Sequence, residues 1–201
     1  MARYKYGSSF RSVVEAMSRI FLALAVTLAV LGGCSAPRYG AEQLRAGIDA
    51  PYQLASGDRL RVIVFGQDGL TNSFSVDGAG NVSMPLIGMV RAKGLTTAQL
   101  ETAIEGHLRN GYLRDPHVSV EVEAFRPFFV LGEVGVPGQY PFVNGTTVQN
   151  AIAIAGGFGP RGYKDTVDLT RIVDGELLTT AVPLSFPMRP GDTITVRERF
   201  F

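Results

Sequence analysis

Hydrophobic positions along this chain switch twice between a period of two and a helical period, and the order of the switches predicts two small α+β units in succession. In the first, Leu60, Val62 and Val64 share one face of a strand running from Arg59 to Phe65. Phe74–Val76 and Val82–Ile87 then flank the turn-forming Asp77-Gly-Ala-Gly-Asn81, which predicts a hairpin. At Thr96 the period changes. Thr96 and Gln99 have the spacing of a capping box, Leu100, Ala103, Ile104 and Leu108 fall on one helical face, and Asn110-Gly111 ends the helix. Alternation returns at His117–Glu123, with Val118, Val120 and Val122 inward.

The second unit repeats this order. Phe128–Val134 reads as a strand, Val136-Pro137-Gly138-Gln139 as a type II turn with Gly138 in the left-handed position, and Tyr140–Val143 as the returning strand. A helix is expected from Thr146-Thr-Val-Gln149, echoing Thr96-Thr-Ala-Gln99, and should stop at Gly156-Gly157. Strands at Thr166–Val173 and Glu176–Val182 flank the hairpin signal Asp174-Gly175. Finally Arg189-Pro-Gly191-Asp192, leading into Thr193–Val196, matches Ala55-Ser-Gly57-Asp58, leading into Arg59–Val62. Both predicted units are mixed sheets with a short helix packed on one face, joined near Arg126-Pro127.

Ahead of these units lies an apolar run from Ile20 to Val30, too short for a membrane-spanning helix, which needs about 20 apolar residues. With Arg19 as its positive flank and Leu31-Gly32-Gly33-Cys34 directly after it, the run reads as a lipoprotein export signal over residues 1–33. Cleavage between Gly33 and Cys34 would leave the chain's sole cysteine to carry a diacylglyceryl group, and two or three acyl chains hold a protein firmly to a membrane. Met17 offers an alternative start, which would make residues 1–16 an over-extended reading frame. Ser35 and Ala36 follow the cysteine, and the lack of aspartate there is compatible with sorting to the outer membrane. From Ser35 to Ala50 no apolar period appears, so residues 34–50 are expected to form a lipidated tether.

Composition narrows the function. With 19 Lys+Arg against 18 Asp+Glu the chain is nearly neutral and has no basic tract, which argues against a nucleic-acid partner. If its one cysteine is acylated, no disulfide is available and packing must supply the stability.

Several patterns suggest chemistry and have plainer structural explanations. Gly157-Phe-Gly159-Pro-Arg-Gly162 fits the dinucleotide fingerprint, but that fingerprint follows a strand and opens a helix, whereas here a helix precedes and Pro160 interrupts. Gly57-Asp58 and Gly191-Asp192 offer two carboxylates, yet both sit in matching turns before strands, where a carboxylate accepts backbone N–H groups. His107 and His117 are the only histidines and belong to no cluster with metal-ligand spacing. Nothing resembles a nucleophile elbow. No catalytic residue, metal or cofactor is expected. Turn roles are assigned to Gly57, Asp58, Pro137, Gly138, Gly156, Gly157, Gly191 and Asp192, and packing to Tyr112, Tyr140 and Tyr163. Arg161, Lys164 and Asp165, in the polar loop after the second helix, are candidates for a subunit contact or a lumen surface.

Taken in order, the stretches that begin at Tyr52 (Y-x-L-x-x-G-D), Val76 (V-D-x-x-G), Gly94 (G-L-T-x-x-Q-L), Asp115 (D-P-x-V-S-V), Val130 (V-L-G-E-V), Ala151 (A-I-A-x-A-G-G) and Pro190 (P-G-D-T-I-T-V) resemble the outer-membrane polysaccharide export family over nearly all of Pro51–Phe201. The resemblance implies a polysaccharide-export domain at 51–126 and a soluble-ligand-binding β-grasp (SLBB) domain at 127–201. It implies a homo-oligomeric ring or adaptor on the periplasmic face of the outer membrane, capsule or exopolysaccharide as cargo, and an inner-membrane co-polymerase as partner. Larger members of the family carry a C-terminal helix that lines the pore, whereas this sequence stops at Phe201 just after its last strand, so a separate outer-membrane barrel is expected. Two other classes stay open: a monomeric periplasmic lipoprotein that binds a saccharide or small ligand, and an envelope glycan hydrolase, which would need two carboxylates suitably spaced in a cleft.

Overall fold

The computed structural model describes residues 40–45, 48, 50–173 and 175–199. The expected signal segment, with Gly33 and Cys34, lies outside them. Among the described residues no helix is long and apolar enough to cross a membrane.

A short helix, α1 (Ala41–Arg45), comes first. It falls in the stretch expected to be a tether, and its Leu44 is fully buried in the core of the second unit. Ala41 and Ile48 pack against the same core, and with Leu44 they stand at i, i+3 and i+7, a helical spacing that covers barely two turns, too short to register as a period.

Strand β1 (Arg59–Val64) is the centre of the first unit. It buries Leu60, Val62 and Val64, and pairs antiparallel on one edge with β2 (Asn72–Ser75) and on the other with β5 (Val118–Ala124). Here the structure corrects the expected hairpin. The turn forms, with the Asp77 carboxylate accepting the Asn81 N–H at 2.8 Å, but the segments on either side do not pair with each other. Instead β2 turns back on β1, and β3 (Asn81–Met84) pairs forward with β4 (Gly88–Arg91). Turn chemistry fixes where a chain reverses; the partner is chosen by the free edge of β1, which one sequence window does not contain. Helix α2 (Thr97–Arg109) packs on β5 through Leu100, Ile104 and Leu108, and Thr96 with Gln99 forms the expected capping box.

The second unit is a five-stranded sheet in the order β7-β6-β10-β8-β9. Its strands are β6 (Phe128–Gly132), β7 (Gly138–Tyr140), β8 (Thr166–Val173), β9 (Glu176–Pro183) and β10 (Thr193–Val196). The central pair, β6 and β10, is parallel, and all other neighbours are antiparallel. Helix α3 (Val148–Ile154) covers one face, burying Val148, Ala151 and Ile152 with Phe128, Val130, Leu169, Phe186 and Ile194. Gly156 and Gly157, both at φ +83°, terminate the helix region as expected.

Two local expectations are corrected in this unit. Gly138 is a strand residue paired with Val130, and the left-handed glycine of the reversal is Gly132 at φ +83°. A Cβ on Gly132 would lie 2.1 Å from the Val196 carbonyl oxygen, so the close approach of β10 requires a glycine at this position. The cap of α3 is Thr147 with Asn150, one residue later than the echo of α2 suggests, because Thr146 is buried and donates its hydroxyl to the Val143 carbonyl.

Candidate functional site

The two Gly-Asp turns have the same construction and face the same junction between the units. In each, a left-handed glycine, Gly57 (φ +94°) or Gly191 (φ +86°), precedes a carboxylate with almost no solvent exposure. Asp58 accepts the Ala55 N–H at 2.8 Å, and Asp192 accepts the Arg189 N–H at 2.7 Å, three residues back in both cases. Each glycine N–H then ties its turn to a neighbouring segment, Gly57 to the Val76 carbonyl and Gly191 to the Pro127 carbonyl. A side chain that accepts backbone N–H groups in this way organises the start of the following strand.

Their cationic partners differ. Arg171 takes Asp192 in a buried two-point grip, Nε to Oδ1 at 2.9 Å and Nη2 to Oδ2 at 2.7 Å, and also donates to the carbonyls of Leu44 and Pro187. One side chain thereby joins α1, β8 and the second Gly-Asp turn. Asp58 instead accepts the Arg126 backbone N–H at 3.0 Å and the Tyr52 hydroxyl at 2.7 Å, with the Arg126 guanidinium 3.8 Å away. Burial and the bond to Asp58 push the Tyr52 hydroxyl well above the usual tyrosine range. Among the described residues, every buried side-chain nitrogen or oxygen has a partner.

Between the turns lies a cleft of about 500 Å³, lined by Tyr52, Gln53, Lys93, Arg126 and Arg189 on its polar side and by Ile172 and Val173 on its apolar side. Sequence reasoning found the two aspartates and missed the cations around them. One signal was present: Arg171 occupies the inward register of Val167 and Leu169, where a charged residue needs a buried partner.

A second cleft, of about 550 Å³, is lined by Tyr163, Thr166, Arg197, Glu198 and Arg199. Arg161, from the loop proposed for subunit or lumen contact, reaches Glu133 at 3.5 Å and Glu198 at 3.4 Å within its own chain; Lys164 and Asp165 are exposed. Arg197 lies over the Tyr163 ring and 3.2 Å from Asp168. Tyr140 donates its hydroxyl to the Val136 carbonyl and stacks on Phe128, whereas Tyr112 is exposed. His107 and His117 are both exposed, and His117 lies 3.5 Å from Asp115. No group of three metal-ligating side chains exists among the described residues.

Exposed apolar side chains collect in two places. The outer face of the large sheet carries Phe129, Leu131 and the cross-strand pair Ile172 and Leu177, each of the last two about 70% exposed. Leu86 and Met89 project near the β3–β4 turn, where Leu86 is the one non-glycine residue at positive φ (+67°) among those described.

Comparison with known proteins places this geometry among relatives. Residues 46–123 match the family model for polysaccharide biosynthesis/export proteins, and residues 127–180 match that of the SLBB domain. The chain is 31% identical over 158 residues to the exopolysaccharide production protein ExoF of Rhizobium meliloti (strain 1021), covering 74% of this chain and 36% of that protein. It is 30% identical over 125 residues to the polysialic acid transport protein KpsD of Escherichia coli, covering 60% of this chain and 22% of that protein. The chain thus spans about a third or less of the length of these relatives.

Proposed function

Because the chain belongs to the polysaccharide biosynthesis/export family and carries an SLBB domain, we propose that it is an envelope component of a capsular or exopolysaccharide export apparatus. In this reading Cys34 is acylated and anchors the protein to the periplasmic face of the outer membrane. Copies of the chain assemble into a ring or adaptor, with an inner-membrane co-polymerase on one side and a separate barrel on the other. The polymer passes without being cut.

The observation that carries the reading is the uninterrupted succession of the two family matches over most of the folded chain. The geometry agrees with it. Asp58 and Asp192, the carboxylates best placed to suggest acid–base chemistry, are both consumed by turn and ion-pair bonds, which suits a scaffold. Exposed Phe129, Leu131, Ile172 and Leu177 supply apolar surface on which a second copy would gain stability. Moving a hydrated polymer calls for many weak contacts, since a tight site would stall the chain.

Mass measurement of the mature protein, followed by electron microscopy of the detergent-purified material, tests this reading. It predicts an acylated N-terminal Cys34 and closed homo-oligomers. A non-acylated protein that stays monomeric and binds a free saccharide would favour the monomeric binding lipoprotein instead, a reading that the junction cleft makes concrete.

A further inference from the structure

Positive charge is left over at the junction of the two units. Lys93, Arg126 and Arg189 line one cleft, and Arg171 is the cation that most strongly disfavours charge on Arg189 after burial itself. The acids nearest these cations, Asp58 and Asp192, do not line the cleft; both are buried in their turns and occupied. Asp192 is held at two points by Arg171 and takes the Arg189 backbone N–H. Asp58 takes the Tyr52 hydroxyl and the N–H groups of Ala55 and Arg126, and the Arg126 guanidinium, 3.8 Å from Asp58, donates to the Tyr52 hydroxyl oxygen at 3.1 Å, so the charge left over is that of Lys93 and Arg189. Among the described residues no carboxylate lies within ion-pair distance of the side chain of Arg189 or Lys93; Asp192 favours the Arg189 charge from further off, less strongly than burial and Arg171 disfavour it.

The arrangement is built into the backbone. A Cβ on Gly191 would fall 2.6 Å from the Arg126 Nε, so the side chain of Arg126, which follows the last strand of the first unit, lies across the second unit's turn in space that a larger residue would make it give up. Its guanidinium lies 6.0 Å from the centre of the Tyr52 ring, which limits how it can swing. Half-buried like charges are costly side by side, and the cost falls when an anion enters between them. Guanidinium groups present forked donors that match carboxylate and phosphate oxygens.

We propose that this junction cleft binds an oxyanion, a carboxylate or phosphate, between the side chains of Lys93, Arg126 and Arg189. The anion would bridge residues of both units and hold them together. The ligand is either a free small anion or the acidic group of a polymer, and the proposal does not depend on which of the two occurs in the cell or on the export reading.

Titration calorimetry and thermal unfolding of the full folded protein separate the possibilities, using inorganic phosphate, glucuronate and a polyglucuronate oligomer, each against sodium chloride at matched ionic strength. The expected result is saturable binding and a higher melting temperature with at least one of the three. Monomeric anions that suffice identify a small-anion site, and binding of the oligomer alone identifies a polymer site. R189Q should weaken binding by about tenfold or more, the usual effect of losing a charge-assisted hydrogen bond. Without anion it should melt no lower than the parent, because a repelling charge is gone. K93Q, at an exposed side chain, provides a second variant that folds normally and should also bind more weakly. Chloride-like behaviour of all three anions, or full affinity in both variants, would overturn the proposal.

Discussion

Arg171 holds Asp192 by two bonds, at 2.9 and 2.7 Å, with 5% and 1% of the two side chains exposed. Asp58, in the matching turn, has only the Arg126 guanidinium at 3.8 Å, from a side chain 29% exposed. Equivalent turns therefore rest on ion pairs of very different strength. Removing one partner of a buried pair strands the other charge, so R171M should lower unfolding stability by about 3–5 kcal/mol. R126M leaves Asp58 with its Tyr52 and backbone donors and should cost only ~1–2 kcal/mol. Urea unfolding with both midpoint and slope measured checks the contrast, and equal losses would contradict it.

Tyr52 makes the junction sensitive to high pH. Its hydroxyl is held above the usual tyrosine range first by burial and then by its bond to the Asp58 carboxylate. The folded protein keeps this proton more tightly than the unfolded chain, in which the group titrates near the ordinary value of 10.0. The linked stability is therefore complete below that value and falls as pH rises from it towards the higher folded value. Stability of the parent should drop from pH 10 upward more steeply than that of Y52F. An ultraviolet titration of the folded parent should also show one tyrosine resisting ionisation, absent in Y52F.

Helix α1 tests whether residues ahead of the first unit belong to the fold. Leu44 is fully buried against the second unit, and its carbonyl accepts from Arg171. L44A should cost about 2–5 kcal/mol, as for other buried leucines. E42A, on the exposed side of the same short helix, should stay within about 0.5 kcal/mol. Equal effects would mean that α1 does not pack there in solution.

Two glycines of one reversal should differ in how well they tolerate a side chain. Gly138 is a strand residue where an added Cβ would meet only the Tyr140 ring, at 4.0 Å, whereas Gly132 is left-handed and a Cβ there meets the Val196 carbonyl oxygen at 2.1 Å. G132A combines the left-handed penalty of ~1–2 kcal/mol with displacement of the β6–β10 pairing, while G138A should cost under about 1 kcal/mol. A chemical denaturation series on both variants provides the check.

How far the sequence led depends on whether the decisive interaction was local. Alternation at Leu60, Val62 and Val64 and the spacing of Leu100, Ile104 and Leu108 record which face is buried, so both elements were legible. The capping box at Thr96 was equally local. The partner of β2 was not, because it depends on a strand edge formed by residues Arg59–Val62 and not on the turn at Asp77–Asn81. The left-handed glycine at 132 was hidden for the same reason: its necessity comes from Val196, more than sixty residues away. Of the junction, Asp58 and Asp192 were visible as turn residues. The cations that gather round them lie on β8, on the connection at Arg126 and in the loop at Arg189, segments brought together only by folding.

Deleting the gene in its host, then measuring polymer released outside the cell against polymer retained in the envelope, tests the central claim most directly. The account predicts that extracellular polymer collapses while repeat-unit synthesis continues and material accumulates inside, with release restored by a plasmid-borne copy. Unchanged release, or an equal loss of polymer inside and outside, would contradict a role in export.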